Sequence, residues 1–410
     1  MSEPFTITPA DIEAAARRIE GHVLRTPLVP APRLSELTGA TVLVKHENMQ
    51  ATASFKERGA VNKLLTLDED ERERGVIAMS AHARRFGIPA TIVMPETTPL
   101  VKVENTRSHG ARVVLHGETL YESAQKAREL AAAEELVFVH PYDDPAVMAG
   151  QGTIAREMLD DDPDLEVLII PLGGGGLMAG NAVAAKALKP GIELIGVEAA
   201  LYPSFFNAIN ADDLPVGGPT LAEGIAVKTV GVQTLPIVSS LVSDIVLVGE
   251  DLIERAVYAY ASLQHSLAEG AGAAGLAAML KEPGRYAGRK VGLLLCGGNI
   301  DTRLLAAIMV RELEREDRIV AFRLTTADRP GLLGKVASLL GEQGANILEV
   351  SHGRLFLDVP AKGVTLDVTV ETRGSAHSAA IEVALRESGF APHRVLPRGL
   401  AGRDLAEPGR

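Results

Sequence analysis

Short apolar runs alternate along the chain with longer stretches in which apolar residues recur at helical spacing. The short runs, bounded by polar or glycine-rich segments, predict buried strands, and the longer stretches predict amphipathic helices. This alternation is typical of the α/β class, in which helices cover parallel sheets. Strands are predicted at residues 76–79, 91–94, 113–115, 137–139, 167–170, 194–197, 245–248 and 291–295. Helices are predicted at residues 9–19, 120–133, 177–188, 251–266 and 273–280.

The pattern changes after residue 310, which indicates a second domain. Residues 311–318 form a charged connector without an apolar face. A β-α-β-β-α-β order follows, with strands at 319–326, 347–351 and 364–371 and helices at 330–342 and 376–387. A unit of this order and size is typical of a ferredoxin-like α+β domain. The sequence therefore predicts a first domain over residues 1–315, with a small lobe inserted at about residues 50–150, a second domain over 319–397 and a tail over 398–410.

Composition and charge exclude several classes of protein. The 41 basic and 53 acidic residues give a formal net charge of −12, and nonspecific binding to nucleic acid needs a basic surface instead. The first residues do not resemble a signal peptide, and no apolar run reaches the ~20 residues that span a bilayer. The one cysteine, Cys296, forms no internal disulfide and is typical of a reducing compartment. We therefore expect a cytoplasmic protein.

Four consecutive glycines connect the predicted strand at 167–170 to the helix after it: Gly173, Gly174, Gly175 and Gly176. Successive backbone N–H groups without side chains, at a helix N-terminus, form a phosphate-binding loop. A flexible turn is the alternative, although four glycines carry a high entropic cost. The spacing matches neither the Gly-x-Gly-x-x-Gly dinucleotide pattern nor a Walker A loop. The pattern therefore predicts a phosphate group of another kind.

Lys56 and Cys296 are the side chains that complete this pattern. Lys56 lies in Ser54-Phe-Lys at a helix start, and burial makes a lysine neutral enough to form a Schiff base. Taken alone, Lys56 would be a surface lysine. Cys296 follows the strand at 291–295, at the carboxyl end where open α/β sheets bind ligands, and its alternative is a buried structural cysteine. An amine, a phosphate loop and a weak partner for a ring nitrogen together indicate pyridoxal phosphate.

The chain resembles the fold-type II (tryptophan synthase β-like) pyridoxal-phosphate enzymes, and among them threonine ammonia-lyase, or threonine dehydratase, with one C-terminal ACT domain. The resemblance implies two lobes of open sheet and a homo-oligomer, a dimer or a tetramer. It implies conversion of L-threonine to 2-oxobutanoate and ammonia, with L-serine as a secondary substrate, in isoleucine biosynthesis or threonine catabolism. The matching segments are Arg25-Thr-Pro-Leu28, Lys45-His-Glu-Asn48, Ser54-Phe-Lys-Glu-Arg-Gly-Ala60, Gly173–Gly176, Gly196-Val-Glu198, Leu221-Ala-Glu-Gly-Ile-Ala-Val227 and Cys296-Gly-Gly-Asn299.

The resemblance also assigns roles to single residues. Lys56 would bond to the cofactor's aldehyde and move the substrate α-proton. Cys296 would face the pyridine nitrogen, where a neutral thiol does not enforce a protonated ring, which suits β-elimination. Glu269 matches an acidic position near the ring, and a helix-end carboxylate is the alternative. The cofactor-binding residues implied are Phe55, Lys56, Gly173, Gly174, Gly175, Gly176, Leu177, Glu269 and Cys296.

The chain departs from the family after the predicted strand at 76–79. The family has Ser-x-Gly-Asn-His-x-Gln-Gly there, which holds the substrate carboxylate, and only Ser80 matches it. About nine residues, two and a half helical turns, are missing between Ala81 and His82. One explanation is that the segment is deleted, which would leave an enzyme with weak turnover or a cofactor-binding regulatory protein. The other is that the sequence omits a loop. Continuous numbering favours the deletion.

A serine racemase or a 3-hydroxyaspartate dehydratase is an alternative within the same class of enzyme. Racemisation needs a second proton carrier on the opposite face of the cofactor. The corresponding position is Ala81, which carries no titratable group. The sequence therefore favours the lyase over the racemase.

A cation site is implied at Glu198. Some relatives bind a divalent cation through the carboxylate at this position, through a carbonyl four residues on and through an Asp six residues on. The sixth position here is Ser204. Because hard divalent cations favour charged oxygen ligands, a monovalent cation is favoured over Mg²⁺, and a solvated or paired carboxylate is the alternative.

An effector site is implied in the second domain by Asp328, Gly331 and Asn346, which lie in ACT-like motifs. ACT domains commonly pair edge to edge and bind amino acids between protomers. The resemblance implies a branched-chain amino acid such as isoleucine or valine, and a purely oligomerising domain is the alternative. Asp328 is also predicted to cap a helix that begins at Pro330.

Overall fold

The computed structural model describes residues 6–78, 86–98, 100–108, 110–118, 120–353 and 363–395. Contacts within the chain divide it into two units, residues 1–301 and 302–410. The sequence predicts a first domain that ends at residue 315, whereas helix Thr302–Arg315 belongs to the second unit, because it packs against the strand that follows it.

The first unit is built from two separate sheets. Its strands are β1 (Leu28–Pro30), β2 (Thr41–His46), β3 (Val76–Ala78), β4 (Ala90–Met94), β5 (Arg112–Leu115), β6 (Val137–Val139), β7 (Val167–Pro171), β8 (Glu193–Ala199), β9 (Asp244–Val248) and β10 (Lys290–Leu295). Its helices are α1 (Pro9–Ile19), α2 (Pro32–Thr38), α3 (Lys56–Leu65), α4 (Glu69–Arg74), α5 (Leu100–Ser108), α6 (Leu120–Ala133), α7 (Pro145–Asp161), α8 (Gly176–Leu188), α9 (Ser204–Asn210), α10 (Thr234–Leu241), α11 (Glu250–Leu263) and α12 (Gly270–Lys281).

Strand order confirms an open two-lobed α/β fold. The larger sheet has the order β1-β2-β10-β7-β8-β9, with β1 antiparallel to β2 and the other neighbours parallel. The smaller sheet is parallel and has the order β5-β4-β3-β6. Because β3 to β6 lie between β2 and β7 in sequence, the small lobe is inserted into the large one, as the sequence predicts.

The predicted strands of this unit are all present, and the described residues correct the end of one predicted helix. Helix α11 ends at Leu263 rather than at residue 266, because His265 has a φ of 53° that no right-handed helix accepts. Strands β3 and β4 are parallel neighbours joined by residues 79–89. Parallel strands need a crossover of about a dozen residues. The connection between β3 and β4 is therefore about as short as a crossover between parallel strands can be. The proposed Ala81–His82 junction lies outside the described residues.

Helix α7 is the centre of the large lobe and packs between α3 and α8. Two glycines of α7 allow both neighbours to approach its backbone. A Cβ on Gly150 would lie 2.7 Å from the Arg58 carbonyl oxygen of α3, and one on Gly152 would lie 2.7 Å from the Gly180 carbonyl oxygen of α8. Backbone contact of this kind leaves no space for a methyl group.

We expect Gly180→Ala to lower the free energy of unfolding by about 1–3 kcal/mol, because its methyl group would overlap the Met148 carbonyl oxygen of α7 and force two helices apart. Gly191→Ala is the control, since a Cβ at that position meets no atom within 4 Å. Urea unfolding of both variants measures the difference. Equal stability of the two variants would contradict this packing.

The second unit is a ferredoxin-like domain that follows one helix. Its elements are α13 (Thr302–Arg315), β11 (Ile319–Ala327), α14 (Leu332–Glu342), β12 (Asn346–Gly353), β13 (Gly363–Glu371), α15 (Ser375–Glu387) and β14 (Pro392–Val395). The sheet is antiparallel in the order β12-β13-β11-β14, which confirms the predicted β-α-β-β-α-β unit. Its core lies between this sheet and the two helices that follow β11 and β13.

The start of α14 differs from the prediction. The helix begins at Leu332 rather than Pro330, and its N-cap is Gly331, with no side chain bonded to the helix end. Gly331 has a φ of 84°, a left-handed conformation that turns the chain between strand and helix. Asp328 therefore lies in the turn before the helix, and Gly331 occupies the N-cap position instead. No helix in the described part of the chain is both long and apolar enough to cross a membrane.

Candidate active site

Lys56 is the first residue of α3 and is held near Cys296 by a short pairing of two loops. Ser54 forms an antiparallel bridge with Gly297, and the Phe55 N–H donates to the Cys296 carbonyl oxygen over 3.0 Å. The start of α3 therefore lies at the carboxyl end of β10, the edge at which open sheets bind ligands. The Lys56 amine lies 5.2 Å from the centre of the Phe55 ring, in a half-buried position.

Glu269 and Gly224 border the same space. A Cβ built on Gly224 would lie 3.4 Å from Glu269 Oε1 and 3.9 Å from Lys56 Nζ. Glu269 is the N-cap residue of α12, and its N–H donates to the Gly297 carbonyl oxygen over 3.0 Å. Its side chain does not cap the helix, so the carboxylate lies near the amine instead. A glycine at 224 keeps the space beside both groups free of a side chain.

The Cys296 thiol belongs to the same electrostatic environment. The pKa of this thiol is raised to about 12, chiefly by burial and also by the negative charge of Glu269, while the positive charge of Lys56 opposes the rise. The thiol is therefore neutral at pH 7 and is a weak hydrogen-bond partner. These shared interactions bring together three of the predicted cofactor residues.

The glycine loop presents backbone donors for which the described part of the chain supplies no acceptor. Within the described chain, no oxygen accepts a hydrogen bond from the N–H groups of residues 173–178, although nearly all of these residues are buried. Gly175 has a φ of 94° and is the N-cap residue of α8, so successive N–H groups converge at the helix start. Buried N–H groups are nearly always bonded, and an anion at the positive end of a helix would satisfy them. The loop therefore fits a phosphate group.

Residues 224 and 225 connect the loop to the lysine. A Cβ on Gly173 would lie 3.0 Å from Ile225 Cα and 3.4 Å from the Gly224 carbonyl oxygen. Gly224 is in turn the residue that borders Lys56. The amine and the phosphate loop thus both border the same short segment.

Sequence reasoning missed two groups that surround the loop. The Tyr142 ring packs on Gly174, and its hydroxyl donates to the Thr229 carbonyl oxygen over 3.2 Å. The buried Thr234 hydroxyl donates to the Gly174 carbonyl oxygen over 3.0 Å. A threonine and a tyrosine outside any motif give no signal in the sequence, because only the fold brings them to the loop.

Glu198 caps a helix of its own chain. Its two carboxylate oxygens accept the N–H groups of Phe205 and Phe206 at the start of α9, over 2.8 and 2.9 Å. The Ser204 hydroxyl donates to the Val227 carbonyl oxygen over 2.6 Å. The described residues contain no group of three or more His, Cys, Asp or Glu side chains suited to a metal. The paired-carboxylate interpretation therefore accounts for Glu198, and the cation stays a prediction.

We expect Glu198→Gln to flatten the pH dependence of stability. Burial raises the pKa of Glu198 from 4.5 to about 7, so between these values the folded chain keeps a proton that the unfolded chain releases. The free energy of unfolding of the native chain therefore falls as pH rises through this window, by at most about 1.4 kcal/mol per pH unit. Urea unfolding from pH 5 to pH 8 checks this, and parallel curves for both proteins would contradict it.

The remaining predicted residues do not come together in one place. Ser80 lies outside the described residues. Asp328 and Gly331 follow the end of β11, whereas Asn346 is the first residue of β12. In the sheet register Asn346 pairs with Glu371 of β13, and Glu371 pairs with Ile319 at the start of β11. Asn346 thus lies at the end of the sheet opposite Asp328 and Gly331.

Comparisons with known proteins agree with this geometry. A family model described as "Pyridoxal-phosphate dependent enzyme" matches residues 19–297. An L-threonine ammonia-lyase of Thermotoga maritima is 41% identical over 94% of this chain and 98% of its own. Among solved structures, the processed form of threonine deaminase isoform 2 from Solanum lycopersicum has a TM-score of 0.68 at 31% identity, over 75% of this chain and 90% of its own. A serine racemase of Dictyostelium discoideum has a TM-score of 0.67 at 32% identity, over 72% of this chain and 99% of its own.

Proposed function

Since this chain belongs to the family of pyridoxal-phosphate dependent enzymes, we propose that it is a lyase that converts L-threonine to 2-oxobutanoate and ammonia, with L-serine as a secondary substrate. The likeness to an L-threonine ammonia-lyase over nearly the whole of both chains supports this reaction. The observation that carries the proposal is that Lys56 and a loop of N–H groups, for which the described chain supplies no acceptor, both border residues 224 and 225.

Apart from Lys56, each residue that would hold the cofactor has one task. Pyridoxal phosphate supplies an aldehyde that bonds to amines and a conjugated ring that takes up electrons from the substrate Cα. Gly173–Gly176 and Leu177 would bind the phosphate through backbone N–H groups, while Phe55 would pack beside the ring. Cys296 would face the ring nitrogen as a neutral thiol and would leave it without an enforced proton.

Lys56 has two tasks at the amine. Its Nζ would hold the cofactor's aldehyde when no substrate is present, and its amine would take the proton from the threonine Cα when the substrate's own amine occupies the aldehyde. A proton carrier in this position contributes about 10²–10⁴-fold to the rate. The Glu269 carboxylate borders the same space as this amine.

Product analysis separates this proposal from its rivals. The purified protein loaded with pyridoxal phosphate is given L-threonine and L-serine, and 2-oxobutanoate, pyruvate and D-serine are measured. Formation of 2-oxobutanoate supports the lyase. Formation of D-serine without keto acid supports a racemase, a rival favoured by the likeness to a serine racemase at 32% identity. Visible absorbance of the bound cofactor without any product supports a regulatory protein that lacks the carboxylate-binding segment near Ser80.

We propose further that the second unit is an ACT domain that senses a branched-chain amino acid between two copies of the chain. Support comes from its ferredoxin-like sheet and from the placement of Asn346 at the end opposite Asp328 and Gly331. A homo-oligomer in a reducing compartment such as the cytoplasm is part of the same proposal, and the buried free thiol of Cys296 agrees with it.

We expect isoleucine or valine to change both the threonine saturation curve and the sedimentation coefficient, because two sites coupled through one assembly shift each other's affinity. Activity assays and sedimentation with and without each amino acid measure this, with glycine as the control additive. If both readouts stay constant, the domain is an oligomerising one.

A further inference from the structure

Four charged side chains form one buried group in the large lobe: Lys45, Glu47, Arg58 and Glu157, called here the ion cluster. The side chains of Lys45, Glu47 and Arg58 have no exposed surface, and that of Glu157 is 11% exposed. Two positive and two negative charges make the cluster neutral. It therefore meets the usual requirement that buried charges be paired.

Arg58 is the hub of the cluster and bonds to both carboxylates with two nitrogens each. Its Nε and Nη2 donate to Glu47 over 2.8 Å each, and its Nη1 and Nη2 donate to Glu157 over 2.6 and 2.8 Å. Lys45 Nζ donates to Glu157 over 2.6 Å and to the Thr26 carbonyl oxygen over 2.7 Å. Paired N–H donors on a planar guanidinium fix both position and orientation.

The cluster joins the helix that carries the lysine to the helix at the centre of the lobe. Arg58 lies two residues after Lys56 on α3, and Glu157 lies on α7. Helix α7 is in turn bonded to the helix after the glycine loop, because Asn181 of α8 accepts the Ala155 N–H and donates to the Leu177 carbonyl oxygen, each over 2.7 Å. A continuous set of directional contacts therefore runs from α3 through α7 to the phosphate loop.

Stability alone does not account for these charges. Apolar residues of similar volume often stabilise a core as well as a buried ion pair, or better, because the charges must lose their hydration. Apolar contacts between α3 and α7 would also permit small rotations, whereas a doubly bonded Arg–Glu pair does not. The glycine contacts between these helices already bring the two backbones together.

We propose that Arg58 and Glu157 are positioning residues for Lys56: their doubly bonded pair holds the start of α3 in the rotation that aims the amine at an aldehyde whose phosphate rests in the glycine loop. This inference rests on the proposed function. It predicts that a variant without the doubly bonded pair still binds the cofactor phosphate in the glycine loop. In that variant the Lys56 amine is no longer directed at the aldehyde. Misplacement by about 1 Å is enough to lower a rate by about 10²-fold.

The test measures cofactor content and cofactor attachment separately. Native protein and the Arg58→Lys variant are loaded with pyridoxal phosphate. The variant keeps the positive charge but loses the paired N–H donors of the guanidinium. Total cofactor is measured after denaturation, and the share fixed to Lys56 is measured by mass spectrometry after borohydride reduction. We expect total cofactor per chain and KM for L-threonine to stay unchanged, while the fixed share falls several-fold and kcat falls about 10²-fold. An unchanged fixed share, or a fall in total cofactor equal to the fall in the fixed share, would overturn the proposal.

A control variant tests for a general effect of arginine loss. Arg25→Lys alters an exposed arginine that also bridges two carboxylates, Asp160 and Asp161, at the end of α7. We expect it to match the native protein in all four readouts. The same loss in Arg25→Lys as in Arg58→Lys would assign the effect to α7 as a whole and overturn the role of the pair.

A double variant separates the orientation of Lys56 from the charge balance of the ion cluster. It also replaces Arg58→Lys if that variant does not fold. Lys45→Met combined with Glu157→Gln keeps the cluster neutral but removes the doubly bonded pair between α3 and α7. The positioning role predicts the same fall in the fixed share, whereas recovery to the native value would show that only net charge matters. Absence of any label on Lys56 in the native protein would instead reject the proposed function itself.

Discussion

Lys56→Ala is expected to eliminate covalent attachment of pyridoxal phosphate and to lower threonine turnover by about 10⁴-fold, the upper range for loss of a positioned proton carrier. The Lys56 amine borders the space beside Glu269 and Gly224. Alanine supplies neither the bond to the aldehyde nor a base at the substrate Cα. The phosphate loop is unchanged, so the variant still binds the cofactor reversibly. Absorbance spectra before and after dialysis and 2-oxobutanoate assays measure the two effects.

Lys63→Ala is the matched control for this prediction. Lys63 is on the same helix, and its amine pairs with Asp144 over 2.9 Å at a partly exposed position. Because such pairs contribute little, we expect native absorbance and turnover. Persistent attachment in Lys56→Ala would show that another amine holds the cofactor. Equal loss in both variants would show that the loss is not specific to Lys56.

Gly176→Ala is expected to weaken cofactor binding by about 10²-fold. A Cβ at this position would lie 2.5 Å from the Tyr142 carbonyl oxygen and 2.8 Å from its Cα, so backbone atoms must move. The movement would separate the N–H groups of residues 173–178 from one another. Loss of one or two hydrogen bonds to a charged group, at about 1.5–3 kcal/mol each, corresponds to this change in affinity. Titration of the apoprotein with pyridoxal phosphate measures it.

Gly284→Ala controls for a glycine effect elsewhere, since a Cβ there meets no atom within 4 Å. Inorganic phosphate is the second probe, because it tests the loop without the aldehyde. We expect weaker competition by phosphate in Gly176→Ala than in the native protein. Unchanged affinity for both ligands would place the phosphate elsewhere.

The elements that the sequence predicts best have local signals at their ends. Helix α1 begins where predicted because Thr8 and Asp11 form a capping box and Pro9 suits the first turn. Helix α7 was not predicted, since its buried residues surround nearly the whole helix and two glycines interrupt the pattern. A helix that is buried on all sides shows no amphipathic period.

The residues of the candidate site also differ in whether a local signal in the sequence predicts their positions. Lys56, Cys296 and the four glycines stand next to strand ends and helix starts, so their positions follow from element order. Arg58 and Glu157 give no such signal, because charged residues are taken for solvated ones until the fold buries them together. The distance between Asn346 and Asp328 depends on strand register, which no local motif encodes.

A crystal structure of the protein loaded with pyridoxal phosphate tests the central claim most directly. The account predicts continuous electron density from Lys56 Nζ to a phosphate group bonded by the backbone N–H groups of Gly173–Gly176, with the ring nitrogen opposite Cys296. A Lys56 side chain directed into solvent, with the phosphate bound away from the glycine loop, would contradict it.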